Sequence, residues 1–457
     1  MRRRPLPHPA LVAALRRPPR GHRRPPGPRC GSDAERDAGE VTAPLVRISP
    51  RTLRKHHRRV FDDLAARGDL VWVDTGHQRF VVVNSADLVR ELMIDRAEEL
   101  VKPSSQAIET GPPAPAVADD GVPVPEFRAA LAKGMGPSRV PDVVESVTSA
   151  VQAEVAQWRD GMRFRLMPRM RRLAITATCW SSFGSRLSAE EVVRAERAVR
   201  GTGRRIPVNS RAAQRWDRLT LNRRRHRGSF AQLVALSRSL VANADRSRPT
   251  ELTATLDDLP LLAPSLTEDD RQAMLVELFL GAVGPLAQTY AWTLLRFATE
   301  PDAAARLRRE WDEAAPGSRL HCTEAFVREV TRLHPTNERI TRQATSDTTL
   351  GGERIPELTR IVLNVGALHG DPRFFEEPGR FAPERWLDGR PTPNKFAYVA
   401  FGVGGRRCLG ETMAVTAVTA MLPALLQNWE VGFGKLRFAS KGRYQPAESV
   451  RVTVRAR

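Results

Sequence analysis

Close to the end of the 457-residue chain runs Phe401-Gly-Val-Gly404-Gly-Arg406-Arg407-Cys408-Leu-Gly410-Glu411. A cysteine set among glycines and arginines, directly ahead of an apolar stretch, constrains the fold more than any other segment. Gly404 and Gly410 admit torsions and close approaches that a Cβ would block. The two arginines favour thiolate over thiol. Residues 410–422 have helical composition, and the N–H groups of that helix's first turn add partial positive charge beside the sulfur. Such a loop is suited to hold an anionic sulfur against a large, negatively charged cofactor. The rest of the chain must then supply a rigid seat for the loop and a wall around the cofactor.

The bulk numbers allow this. A chain of 457 residues exceeds the usual single-core size, which favours two domains. No linker is visible after residue 45, so one large domain fits better, and 41% hydrophobic residues suffice for its core. The formal charge is +20, carried mostly by arginine. Residues 1–30 hold nine arginines and no acidic residue, and 200–227 is also strongly basic. No recognition helix, zinc-finger spacing or basic motif interleaved with aromatics accompanies this charge, so nucleic acid is not the expected partner. Cys30, Cys179, Cys322 and Cys408 are too few for a disulfide scaffold and include no CxxC pair. A reducing, cytoplasmic setting follows. The longest N-terminal apolar run, Leu11-Val-Ala-Ala-Leu15, falls far short of the ~20 residues that span a bilayer. No membrane anchor is expected, and residues 1–45, rich in Arg, Pro and Gly, read as disordered.

From about residue 50 the pattern is globular. Residues 51–67 have helical periodicity. The β-rich runs 69–74 and 78–83, separated by Thr-Gly-His, predict a hairpin, and Asn84-Ser-Ala-Asp caps a helix to about Ile94. Residues 103–125 form a long Pro-rich loop. Helices are predicted over 139–158, 167–183, 188–201, 228–246, 267–299 and 303–314. Short strands near 349–352 and 360–364 follow, as a small late sheet. The fold class is mainly α, with small β-sheets.

The spacing Phe401-x-x-Gly404-x-Arg406-x-Cys408-x-Gly410 resembles the cysteine-ligand loop of the cytochrome P450 haem-thiolate family. Two further segments support the resemblance, which runs from residue 50 to the C-terminus. Glu329-Val-Thr-Arg332 is similar to the family's ExxR, with both charges on one helical face. Phe381-Ala-Pro-Glu-Arg385-Trp386 looks like its Phe-x-Pro-Glu-Arg-Phe stretch. The resemblance implies a cytochrome P450 fold, a helix-rich single domain over 46–457, with haem b (iron protoporphyrin IX) as cofactor and Cys408 as its metal ligand and catalytic centre. It also implies that Glu329, Arg332 and Arg385 form a buried ion network that fixes the loop.

By the same resemblance Phe401, Gly404, Arg406 and Gly410 contact the haem, and Arg406, Arg342 and Arg128 hold its propionates. At Arg128 the family's aromatic or histidine partner is Val124, so the cage is looser there. The distal helix departs further. Gly281-Ala-Val-Gly284-Pro285 aligns with the family's Ala-Gly-x-(Asp/Glu)-Thr, which puts Gly281 and Pro285 over the haem. Neither Gly284 nor Pro285 can relay a proton, and Pro285 predicts a kink. Three readings stay open. A monooxygenase could draw protons through water, the substrate, Gln288 or Thr289. A peroxide-using or isomerase-type enzyme needs no such relay, although Gly284 lacks the arginine that fatty-acid peroxygenases place before the proline. A relative without catalysis is the third. The first implies a ferredoxin-type redox partner, a small apolar substrate, specialised metabolism and a monomer.

Overall fold

The computed structural model describes residues 43–103 other than His77, 131–132, 135–202, 221–244, 268–387, 394–434 and 448–457. The N-terminal tail up to residue 42, loop residues 104–125, Arg128 and most of the basic 200–227 stretch lie outside the described residues.

The chain begins with β1 (Leu45–Arg47), α1 (Pro50–Lys55) and α2 (His57–Ala65). Ser49 caps α1, its hydroxyl accepting from the Thr52 N–H at 3.1 Å. The single helix expected over 51–67 is therefore two, separated at His56, whose backbone leaves the helical region (φ −124°, ψ 35°). The hairpin is present as β2 (Leu70–Asp74) and β3 (Arg79–Val83), paired antiparallel from Leu70↔Val83 to Asp74↔Arg79. A short helix α3 (Ala86–Arg90) runs into a π-helical turn, Glu91–Asp95, followed by β4 (Leu100–Val101).

The helical body comprises α4 (Val140–Val155), α5 (Leu166–Phe183), α6 (Ala189–Thr202), α7 (Leu221–Ala242), α8 (Glu268–Thr299), α9 (Pro301–Glu313) and α10 (His321–Leu333). The strand β5 (Arg163–Arg165) precedes α5. Local chemistry sets several ends. Gly184 at φ +64° stops α5, with Ser185 N–H reaching Cys179 O at 3.1 Å. Ser188 and Glu191 form a reciprocal capping box at the start of α6. Pro301 opens α9, where a missing N–H costs nothing. Helix α8 lies at the centre, against α5, α7, α10 and the C-terminal helix, with Tyr290, Ala291, Trp292 and Leu295 fully buried. Its Met274–Thr299 part is long and apolar enough to cross a bilayer, yet half of that apolar window is buried within the fold. A central core helix passes the same test.

Only part of the expected late sheet stands apart, because the strand at 360–364 joins the early hairpin. Strands β6 (Arg339–Ala344) and β9 (Arg360–Asn364) join the early hairpin in one six-stranded sheet, ordered β1-β2-β3-β9-β6-β4. The reason is burial on both faces. Phe80, Val82 and Val362 point to one side, where Leu53, Phe61 and Leu64 of α1 and α2 cover them. Val81, Val83, Ile361 and Leu363 point to the other, towards Met93, Phe396 and Val399. Strands β7 (Thr348–Leu350) and β8 (Glu353–Ile355) form a separate hairpin. After α11 (Val365–His369), helix α12 (Glu411–Leu426) follows the cysteine loop, and β10 (Trp429–Phe433) pairs with β11 (Arg451–Ala456), which pairs with β5.

Candidate haem-thiolate site

The site is built outward from the last two turns of α10. Glu329 and Arg332 stand one turn apart and are both buried. The Arg332 guanidinium donates through Nε to Glu329 Oε2 at 2.9 Å and through Nη2 to Oε1 at 2.7 Å. Its remaining donors reach the carbonyls of His369 (2.6 Å), Pro378 (2.9 Å) and Arg380 (3.2 Å). The Glu329 carboxylate also accepts from Ala382 N–H at 3.0 Å, Arg385 Nε at 3.3 Å and Trp386 Nε1 at 2.9 Å. The expected Glu329, Arg332 and Arg385 network is thus present. Burial alone would raise the Glu329 carboxyl, but the Arg332 hydrogen bonds and charge, with Ala382 and Arg385, hold it below the usual range. Beyond the bonds between the two, the pair pins the end of α11 and the strand-poor stretch between it and the cysteine loop.

Two residues in this network were not anticipated. Trp386 adds an indole donor to Glu329 and packs against Tyr398, whose hydroxyl lies 2.7 Å from Thr331 Oγ1. His369 provides the link to the loop itself. Its Nδ1 lies 2.8 Å from Arg332 O, so Nδ1 carries the proton and donates to that carbonyl. Its Nε2 then accepts from Val399 N–H at 3.0 Å. From Val399 the ladder continues, with Gly402 N–H to Val399 O at 2.9 Å and Cys408 N–H to Phe401 O at 2.8 Å. The sequence signal was His369-x-Asp371-Pro372, a histidine two residues ahead of an Asp-Pro turn.

Burial keeps His369 neutral, pulling it from 6.5 to about 3, with the Arg332 charge adding to the effect and its hydrogen bond to Arg332 O opposing it. His57 is lowered to about 3, and His334, stacked on Trp292 and accepting from Arg296 Nε at 3.0 Å, is also strongly lowered. On unfolding each regains its ordinary affinity for protons. Stability from these groups is complete above pH 6.5 and falls as the pH drops from there towards 3, where only the unfolded chain binds the proton. Thermal melts should therefore decline between pH 6.5 and 4, and His369→Asn, which keeps an amide donor and an acceptor, should reduce the slope by about one proton. An unchanged slope would show that His369 is not held neutral in the fold.

The cysteine loop is shaped by its glycines. Gly402 and Gly404 both have φ +74°, and a Cβ on Gly404 would stand 2.2 Å from the Met93 carbonyl oxygen of the π-turn. Only glycine allows the loop to lie against that backbone. Gly410 has a φ of −88°, and nothing among the described residues lies within 4 Å of a Cβ placed there. It serves as N-cap of α12, whose first turn begins immediately after the sulfur.

A cavity of about 1960 Å³ brings together Leu92, Leu100, Arg342, Gly404, Arg406 and Cys408. Five arginines and three glutamates line it. Two of the arginines are matched: Arg319 to Glu324 at 2.6 Å and Arg407 to Glu411 at 2.8 Å. Arg407 is therefore spent within the loop. Arg342 donates through Nη1 to Thr341 O at 2.9 Å, and burial, with the charge of Arg406 adding to it, lowers Arg342 to about 10. Two like charges held together in a cavity are stabilised by an anionic ligand, which fits a haem carrying two propionates. Cys408 is exposed to this space, as a ligand must be. Phe401 lies just outside the lining and contributes its carbonyl to Cys408 N–H.

Gly281 and Pro285 are not among the residues lining this cavity. They sit on α8, which packs against α12. The helix runs unbroken through Pro285 from Glu268 to Thr299, so the proline does not interrupt it. Thr289, a candidate relay, donates its hydroxyl to Pro285 O at 3.0 Å. Arg128 lies outside the described residues.

A helix-rich domain whose cysteine loop is tied to a buried Glu–Arg pair has the architecture of a haem-thiolate oxidoreductase. A family model described as cytochrome P450 matches residues 42–437, and the chain belongs to that family. Putative cytochrome P450 138 of Mycobacterium tuberculosis is 26% identical over 409 residues, covering 83% of this chain and 87% of that protein. Pentalenene oxygenase of Streptomyces avermitilis is 25% identical over 310 residues, 63% of this chain and 68% of the relative. Cytochrome P450 3A5 of Homo sapiens is 28% identical over 263 residues, and there the chain spans about half of the relative's length (49%).

Proposed function

We propose that the chain is a haem-thiolate monooxygenase that inserts one oxygen atom of dioxygen into a small apolar substrate, in specialised metabolism. The observation that carries this reading is the seat of Cys408: a thiol beside a cavity holding Arg342 and Arg406, anchored through His369 to the Glu329–Arg332 pair. Cys408 would ligate the iron of haem b, and Arg342, Arg406 and Arg128 would hold its propionates. When bound, such a haem supplies oxygen activation, with the thiolate donating electron density that favours O–O cleavage. The protein's part is to keep the sulfur ionised, through Arg406, Arg407 and the α12 N-terminus, and to keep the loop rigid. Residues 46–457 form the catalytic domain, and electrons come from a separate ferredoxin-type partner. The likeness to a protein named pentalenene oxygenase supports a cyclic hydrocarbon-like substrate.

One observation favours a second reading. With Gly284 and Pro285 in place of an acid and an alcohol, and the Thr289 hydroxyl bound to backbone, the aligned positions of α8 carry no proton relay. A peroxide-using or isomerase-type reaction is the alternative. Turnover of a terpenoid panel with reduced ferredoxin and dioxygen, set against hydrogen peroxide alone, separates the two. Cys408→Ala should abolish the thiolate-type reduced-CO absorption band in either case. A band unchanged by that substitution would remove the basis for both.

A further inference from the structure

The small sheet formed by β10, β11 and β5 carries an unbalanced charge on its solvent face. In the register of β5 against β11, Arg165 stands directly opposite Arg451, and Arg163 opposite Thr453. Side chains alternate along a strand, so these four share one face. The three arginines are exposed. On the other face Phe164 packs on Trp158, ring centroids 5.5 Å apart, and Val452 and Val454 are buried. Those core contacts pin the register, and the register holds Arg165 and Arg451 about 5 Å apart at Cβ, where like charges destabilise a sheet. Among the described residues no hydrogen bond or ion pair engages the three guanidinium groups. The nearby acids are committed elsewhere. Glu154 pairs with Arg169 at 2.5 Å, Glu448 with Arg171 at 2.6 Å, and Asp160 accepts from Ala456 N–H at 3.0 Å. The first turn of α5, directly after Arg165, holds no acidic residue. Only Arg455, further along the same face, has a carboxylate opposite it, Glu430. Charges often guard an edge strand, which accounts for Arg163 and Arg165 on β5 but not for Arg451, because β11 is the central strand.

We infer that Arg163, Arg165 and Arg451 form a binding site for a multivalent phosphate-type anion. The site is separate from the one described above, since none of the three lines the cavity that holds Cys408. A guanidinium fork matches phosphate oxygens in pairs, which an ammonium group cannot do, and every cation of this face is an arginine. A bound anion with two or more charges offsets the repulsion between Arg165 and Arg451. The face presents no apolar side chain that would form the core of a protein interface. A free phosphate compound and a phosphorylated lipid headgroup share this chemistry, and the experiment separates the two sources.

The test titrates the full-length protein at low salt with inorganic pyrophosphate, followed by calorimetry, and floats it with phosphatidylcholine vesicles made with and without phosphatidic acid. Saturable binding to at least one of the two phosphate probes is expected, with a raised melting temperature if pyrophosphate binds. Arg165→Gln and Arg451→Gln should each weaken it about two- to five-fold and the double variant more, while Arg455→Gln should leave it unchanged. The basic N-terminal residues are common to all variants, so only differences among them count. Circular dichroism melts establish that each variant is folded. Variant-sensitive binding to the phosphatidic acid vesicles alone assigns a lipid headgroup, and to pyrophosphate alone a soluble phosphate compound. No saturable binding to either, or equal losses from Arg455→Gln and Arg451→Gln, overturns the inference. Polyglutamate bound as tightly as the phosphate probes would show that the face reads charge alone, and the phosphate assignment would be wrong.

Discussion

Glu329→Ala should yield a chain that retains little haem and melts far below the wild type. The substitution leaves the Arg332 guanidinium buried with its carboxylate gone, and removing one partner of a buried pair costs about 3–5 kcal/mol. Against a total stability of roughly 5–15 kcal/mol for a domain, that is a large fraction. The loss does not stay local. Ala382 N–H, Arg385 and Trp386 lose their shared acceptor as well, so the segment before the cysteine loop loses three ties to α10 and keeps the Arg332 bonds to the Pro378 and Arg380 carbonyls. Glu329→Gln keeps an acceptor oxygen and should fall between the two. Haem-to-protein ratio and denaturant melts measure the effect, and a Glu329→Ala protein with wild-type values for both would contradict the role assigned to the pair.

Gly404→Ala should displace the cysteine loop, while Gly405→Ala, one residue away, should be nearly silent. At 404 the new Cβ would meet the Met93 carbonyl at 2.2 Å, a backbone atom that cannot swing aside. The φ of +74° adds about 1–2 kcal/mol for any residue with a side chain. At 405 nothing lies within 4 Å among the described residues, and a surface change of that kind stays within about 0.5 kcal/mol. The two variants differ by one methyl group at neighbouring positions. The reduced-CO spectrum distinguishes them: Gly404→Ala should lose part of the thiolate-type band and Gly405→Ala should keep it. Equal spectra would mean that the loop does not depend on its contact with the π-turn.

What could be read in the chain was whatever is encoded over short spans. The Glu329–Arg332 spacing, the order of glycines and arginines before Cys408, the hairpin at 70–83 and the helical periodicities are local, and the structure contains each of them. His369 was out of reach because its meaning depends on two partners, Arg332 and Val399, that come together only when the chain doubles back. The same holds for Trp386, whose indole finds Glu329 across 57 positions. The merging of late strands with the early hairpin follows from two-sided burial, which alternation in any one strand does not reveal.

That merged sheet bears on how the protein is made. Val81 and Ile361 are neighbours in parallel strands although 280 positions separate them, and β3 has no other partner on that edge. At ordinary synthesis rates the apolar hairpin leaves the ribosome on the order of tens of seconds before β9 exists. During that interval Val81, Val82 and Val83 have an open strand edge, the arrangement most prone to pairing with another chain. Pairings of this sequence separation are also the slow ones to form. Yield in a foreign host should thus be governed by chaperone capacity during translation more than by the final stability of the fold.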